Sequence, residues 1–341
     1  MRGLIFFHRG LGRVEYQKDW LSVEQQIERL RLRGLTIDDE SQAARLLNSI
    51  GYYRLTGYLY PFLETEARVD FDGRRQITVL PKYREGTRLN DAIELVDFDR
   101  SLRLAVLDGV ERIEIAARMR IGHEIGRHGP FTHENPDYFD RSFTESRTDS
   151  RQPAASKHVQ WLTRVKERRD GSDERFVAHF RDKYDDRMPI WALTEILELG
   201  QLSRLYQGMP QADAETVAIQ FGVPNKKLMA SWLSSLNYVR NVAAHHSRLF
   251  NRKLQHAPKR PKAGQISSLD HLVESDSPKA KFGTYNALAI VAYLLRSVET
   301  GTGWVPRLGA LLSTFPESDS ITIASMGVPA GWRDLDLWSN P

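Results

Sequence analysis

Three side chains within one short stretch of the sequence could act together on a phosphate group: Arg240, Asn241 and His245. At roughly 100° per residue, Asn241 and His245 lie about 100° and 140° from Arg240 on a helical wheel, so all three share one side of a helix. Histidine, whose unperturbed pKa is about 6.5, can transfer protons near neutral pH. Arginine can bind phosphate oxygens and stabilise the charge that develops on them.

The polar side of this predicted helix contains no carboxylate. Asn237 and Arg248 fall about 60° and 80° from Arg240 on the same wheel, and the opposite side is apolar. RNA carries its own nucleophile, the 2′-OH, beside the phosphate to be cut, so cleavage needs only proton transfer and charge stabilisation. The sequence therefore predicts RNA cleavage without a metal ion, with Asn241, four residues before His245, orienting the imidazole.

Simpler interpretations of the same residues stay open. His245 could be a solvated residue near a helix C-terminus, where a cation suits the helix dipole. For His246, on the apolar side of the wheel, we predict a half-buried core position. Arg248, Arg252 and Lys253 extend the basic surface past the motif, and with Asn237 they are predicted to position an RNA backbone; ordinary solvated charge is the alternative. An arginine followed five to seven residues later by a histidine is a weak pattern, which also occurs at Arg2–His8, Arg118–His123, Arg127–His133 and Arg151–His158.

Helical periodicity accounts for most of the chain, and we predict an all-α protein. Ser22, with Gln25 three residues later, predicts a capped helix start. Ile113 and Ile115 belong to the longest periodic segment. The predicted helices are 22–33, 38–62, 90–127, 190–209, 226–248 and 285–298, and the best strand candidate is 74–81.

Composition restricts the class of protein. The 341 residues include no cysteine, which excludes disulfides and thiolate metal sites and fits a reducing cytoplasm. The apolar run at 4–7 is too short for a signal peptide, and no other segment suits a membrane span. A net charge of +4 permits nucleic-acid binding without establishing it.

Several blocks together resemble one known family. The sequence "SWLSSLNYVRNVAAHHSRLFNRKL" (231–254) is similar to the signature of the Abi-like family, the AbiD/AbiF group of bacterial abortive-infection proteins in the HEPN superfamily. Blocks at 21–62, 189–208 and 326–332 resemble the same family. The resemblance divides the chain into an N-terminal extension (1–15), an N-terminal helical part (16–128), a polar loop or insertion (129–156) and a helical part with the motif (157–341), the two helical parts forming one Abi-like unit.

The resemblance implies a HEPN-type helical bundle with additional N- and C-terminal helices. It also implies a metal-independent endoribonuclease toxin of anti-phage defence that needs no cofactor, with Arg240, Asn241 and His245 as the catalytic motif. A homodimer and a small non-coding RNA that restrains the toxin are the implied partners, in the cytoplasm and without a membrane. A catalytically silent RNA-binding protein partnered with a small RNA is the alternative, and a purely structural helical adaptor is a weaker one.

Overall fold

The structure is a computed structural model that describes residues 19–339, except 70, 71, 74, 147–154, 275, 276, 299, 300 and 302. The extension predicted at 1–15 lies outside the described residues. The described chain is mostly α-helical with a sheet of two strands, which confirms the predicted helical class. No helix in the described part of the chain is both long and apolar enough to cross a membrane.

The chain divides into two compact units, of which the first comprises the residues up to Arg100 together with Thr314–Ile323. Its first helix starts as predicted, because the Ser22 side chain accepts a hydrogen bond from the Gln25 backbone and the Gln25 side chain accepts one from the Ser22 backbone. The elements of this unit are helices α1 (Val23–Leu32), α2 (Glu40–Ile50) and α3 (Tyr52–Leu59), strands β1 (Leu63–Val69) and β2 (Arg75–Tyr83), and the start of helix α4 (Leu89–Gly126).

The helix predicted over 38–62 is broken at Gly51. Gly51 has φ +79°, a conformation that glycine adopts at low cost, and it separates α2 from α3. Of the aromatic residues that follow, Tyr58 and Phe62 are buried, and the Tyr58 hydroxyl donates to Asp99 over 2.6 Å. Tyr58 therefore has a packing role.

The two strands form an antiparallel hairpin. Strand β2 covers the described part of the predicted strand 74–81, whereas β1, with the sequence "LETEARV", was predicted as neither helix nor strand. The pairing joins Thr65 to Val79 and Ala67 to Ile77. Most of β1 is exposed, so its sequence lacks the apolar alternation by which a half-buried strand is recognised.

The second unit, Ser101–Ser313 together with the residues from Ala324 onward, carries the predicted motif. Helix α13 (Thr284–Val298) is buried along almost its whole length, as its uniformly apolar sequence predicts. Besides the remainder of α4, the helices of this unit are α5 (Arg141–Thr144), α6 (Lys157–Asp170), α7 (Arg175–Tyr184), α8 (Ile190–Leu193), α9 (Leu199–Gly208), α10 (Gln211–Gln220), α11 (Lys226–Ala244), α12 (Pro278–Phe282), α13 (Thr284–Val298), α14 (Trp304–Ser313) and α15 (Asp336–Ser339).

The stretch predicted as a polar loop or insertion, 129–156, includes buried anchors. Two short 3-10 turns, Thr132–Glu134 and Pro136–Tyr138, precede α5. Phe139 and Phe143 are buried, and Phe143 lies so close to Gly208 that a Cβ there would clash with its ring. The described part of this stretch is thus joined to α9 by apolar contact.

Candidate active site

Helix α11 carries the first two motif residues. Its N-terminus is capped by Asn225, whose side chain accepts a hydrogen bond from the Leu228 backbone over 2.9 Å. Its apolar side is buried, with Trp232, Leu236 and Val239 each at most 1% exposed. The opposite side is therefore held at the surface, as the wheel predicts.

Arg240 and Asn241 contact each other. Arg240 Nη1 donates to Asn241 Oδ1 over 3.2 Å, and the described residues offer the guanidinium no ion pair. A half-buried guanidinium with no carboxylate bound to it retains N–H groups that can donate hydrogen bonds to a phosphate. The Asn241 oxygen is occupied by Arg240, and no hydrogen bond joins Asn241 to the His245 ring among the described residues. The predicted orienting role of Asn241 stays a prediction.

His245 lies at the end of α11 and is exposed. The helix ends at Ala244, four residues before the predicted end at 248, so Arg248 does not continue the polar side of the helix. The chain turns through a Schellman motif, in which the His246 and Ser247 backbone N–H groups donate to the Ala243 and Val242 carbonyls over 3.0 Å each. This turn fixes where the His245 backbone stands relative to Asn241.

The prediction of a half-buried core position for His246 is wrong. His246 is exposed and has φ +56°, the left-handed conformation that the position after a helix cap requires in this motif. The wheel placed it on the apolar side because it assumed that the helix continues. The role of His246 is therefore to end the helix.

Substitutions at His246 test this role. Glycine adopts the left-handed conformation without strain, so His246→Gly should leave the free energy of unfolding unchanged or slightly raised. His246→Val should lower it by roughly 1–2 kcal/mol, because a β-branched residue is strained at positive φ. Chemical denaturation of the two variants measures the difference, and a valine variant as stable as the glycine variant would contradict the assignment.

The residues beyond the helix contact one another rather than forming an open basic strip. Arg252 Nε donates to the Arg248 carbonyl over 2.8 Å, and Arg248 makes further contacts. Lys253 is exposed, with Nζ 5.2 Å from the centroid of the Phe282 ring. Their predicted role in holding RNA stays a prediction.

Two clefts with different lining residues flank the motif. On one side Arg240 borders an open cleft of about 310 Å³ with Glu111, Glu114 and Arg118 of α4. Glu114 is buried and forms an ion pair with Arg118 at 2.9 Å. Arg118 is held further by the Glu195 carbonyl at 2.9 Å, so this pair is a fixed part of the wall.

On the other side, Asn237 and Asn241 border a cleft of about 510 Å³ against α9 and the start of α6. A Cβ on Gly200 of α9 would stand 3.2 Å from Asn237 Oδ1, so glycine allows the two helices this close approach. Lys157, Arg204 and His256 also line this cleft. None of the three is predicted from the sequence, because each lies alone in its own segment and only the tertiary fold brings them to the motif.

A second cluster of polar side chains lies elsewhere in the same unit. Glu124, His128 and Asp213 place their oxygen and nitrogen ligand atoms within 4.8 Å of one another. Asp213 already accepts hydrogen bonds from Arg127 (3.3 Å) and Tyr138 (2.7 Å), and its other contact is His128 Nε2 at 2.8 Å, so a metal ion would have to displace these groups. Burial and the bond to Asp213 raise the pKa of Tyr138, which keeps it a donor and favours a structural role for the cluster.

The fold and the site define a mostly helical protein with an arginine, an asparagine and a histidine at the end of one surface helix. A model of the family described as Abi-like protein matches residues 45–251, which include the motif and more than half of the chain. The chain belongs to this Abi-like family, and that membership suggests a role in abortive infection. No curated protein matches the chain, and no solved structure does.

Proposed function

We propose that this chain is a HEPN-type, metal-independent endoribonuclease that acts as a toxin in bacterial abortive infection. The observation that carries the proposal is the motif itself: an exposed His245 one turn beyond the Arg240–Asn241 pair, with no carboxylate bound to the guanidinium among the described residues. Family membership is compatible with this nuclease role. We propose the cytoplasm as its location, a homodimer as its active form and a small non-coding RNA as its restraint.

The reaction that the motif can support is an internal transesterification. The 2′-oxygen attacks the adjacent phosphorus, the bond from phosphorus to the 5′-oxygen breaks, and a 2′,3′-cyclic phosphate and a 5′-hydroxyl result. His245 would transfer a proton at the 2′-hydroxyl or the leaving 5′-oxygen. Arg240 would stabilise the negative charge that builds up on the phosphoryl oxygens.

The chemistry of the product ends tests the proposal. We expect the purified protein to cut RNA in EDTA as well as in Mg²⁺ and to leave 2′,3′-cyclic or 3′-phosphate ends with 5′-hydroxyls. These ends are expected because the nucleophile is the RNA's own 2′-oxygen. End-specific ligation and sequencing of the products measure them. Strict dependence on Mg²⁺, or 3′-hydroxyl products, would contradict the assignment.

A catalytically silent RNA-binding protein is the second candidate. The observation that favours it is the cleft on the Asn241 side, where exposed Lys157 and Arg204 can hold a phosphate backbone without cutting it. In that case RNA should copurify with the protein and stay intact during prolonged incubation, whereas a nuclease should cleave it.

A further inference from the structure

The cleft beside Asn241 continues along α11 as a groove. A second cleft, of about 490 Å³, is lined by Lys227 and Ser231 of the same helix and shares Ser234, Gln207 and His256 with the first. We call the two clefts together the α11 groove. From Lys227 to Asn241 it follows roughly 21 Å of helix, at about 1.5 Å per residue. It therefore leads from the motif along most of α11.

The α11 groove is lined by five basic side chains. They are Lys157, Arg204, Lys227, His256 and Lys259, and no aspartate or glutamate lines either cleft. All five are exposed, and none forms an ion pair with a described residue. Elsewhere in this unit arginines and lysines commonly have acidic partners; Lys226, which precedes Lys227, binds Asp140 at 2.6 Å. A row of basic side chains with no acidic residue in the lining is suited to a polyanion.

Aromatic rings accompany these charges. The ring of Tyr238 lies 5.5 Å from that of His256 at an angle of 74°, and both border the groove. At the far end Phe282 is 38% exposed, although most phenylalanines of the described chain are buried or half-buried. Exposed rings beside basic side chains are the surfaces on which unpaired bases stack in proteins that bind single strands.

We propose that the α11 groove binds single-stranded RNA and guides it to Arg240 and His245. The inference rests on the proposed ribonuclease function and adds to it the substrate class and the path of the strand. Phosphates contact the five basic groups, and bases stack on Phe282 and Tyr238. A duplex fits this arrangement poorly, because its bases are paired and stacked inside the helix and cannot reach the rings.

Binding measured apart from cleavage tests the groove. In the full-length His245→Ala protein, we would titrate a short fluorescent single-stranded oligoribonucleotide at several salt concentrations. Each phosphate contact on a single strand contributes about 0.7 to the slope of log K against log salt. Replacing Lys157, Arg204 and Lys227 together by glutamine should reduce that slope by about 2 and weaken binding at least tenfold at moderate salt.

A matched variant separates the groove from net charge. Lys166, Arg175 and Lys183 are exposed, lie on α6 and α7 of the same unit and line neither cleft of the groove. Replacing these two lysines and one arginine by glutamine gives the same net charge as the groove variant. This control should keep the parent affinity and slope, and an equal loss in both variants would overturn the proposal.

Two further measurements address the strand and the stacking. Phe282→Ala should weaken binding by about fivefold or more while the salt slope stays constant, because stacking releases no counterions. A duplex of the same sequence should compete poorly, and equal competition would overturn the single-strand assignment.

The outcomes distinguish the groove from the ribonuclease function. If the wild-type protein cuts RNA but RNA binding does not depend on the groove residues, the groove proposal alone is refuted. If binding depends on the groove residues but no RNA is cut, the ribonuclease proposal is refuted and the groove remains an RNA-binding site.

Discussion

Alanine at His245 or at Arg240 is expected to abolish RNA cleavage in a protein that still folds. Removing a general acid or base lowers a rate by about 10²–10⁴-fold, and removing a group that stabilises developing charge lowers it by about 10²–10³-fold. Asn241→Ala should have a smaller effect, since Asn241 contacts Arg240 and is assigned no proton. Cleavage rates at saturating RNA, with product ends mapped, provide the measurement.

The positions of the two side chains separate a loss of catalysis from a loss of folding. His245 is exposed, and the Arg240 side chain forms one hydrogen bond, to Asn241, within the described chain, so neither substitution opens a cavity in the core. His246→Gly is the matched control: it removes a neighbouring imidazole and keeps the turn that ends α11. It should cleave RNA at the wild-type rate with an unchanged melting temperature. A folded Arg240→Ala, His245→Ala double variant that still cuts RNA would refute the assignment.

Local sequence signals predicted those elements whose boundaries are determined locally. The cap at Ser22 is formed by side chains three residues apart, and the uniformly apolar α13 is buried as expected. Glycine at position 51 signals a possible break, but an apolar pattern runs across it, and the periodicity favoured one helix instead of two. At His246 the turn depends on a left-handed conformation of a residue other than glycine, which propensity does not signal.

Only some of the polar residues near the motif can be predicted from the sequence. Arg240, Asn241 and His245 are close in the chain, so a wheel and a family resemblance are sufficient to find them. Lys157 and Arg204 reach the same cleft from other helices, at sequence separations over which no periodicity applies. Nothing in their own segments distinguishes them from solvated charge. Contacts distant in sequence therefore require the fold.

We expect a second large effect on the cleavage rate from assembly into a dimer. Cleavage by 2′-OH attack has two proton transfers, and one helix end presents a single exposed motif histidine. One imidazole cannot face both oxygens at once, whereas two copies of α11 around a two-fold axis can supply two. Exposed apolar side chains lie on α4, where Leu104, Ile115 and Met119 are 59%, 54% and 57% exposed. Ile115 borders the same cleft as Arg240, and exposed apolar patches mark interaction surfaces.

The double variant Ile115→Glu, Met119→Glu tests the homodimer with the motif unchanged. Four carboxylates brought together across a two-fold axis repel and are costly to bury, so the protein should become monomeric and lose cleavage together. Light scattering coupled to size exclusion gives the mass, and the cleavage rate is measured on the same fractions. Val159→Glu with Tyr184→Glu, at exposed positions on α6 and α7, adds the same charge and should leave both quantities unchanged. A monomer that cleaves RNA at the full rate would show that one chain contains the whole active site, and the second imidazole would then have to be sought within that chain, where His256 lines the cleft beside Asn241.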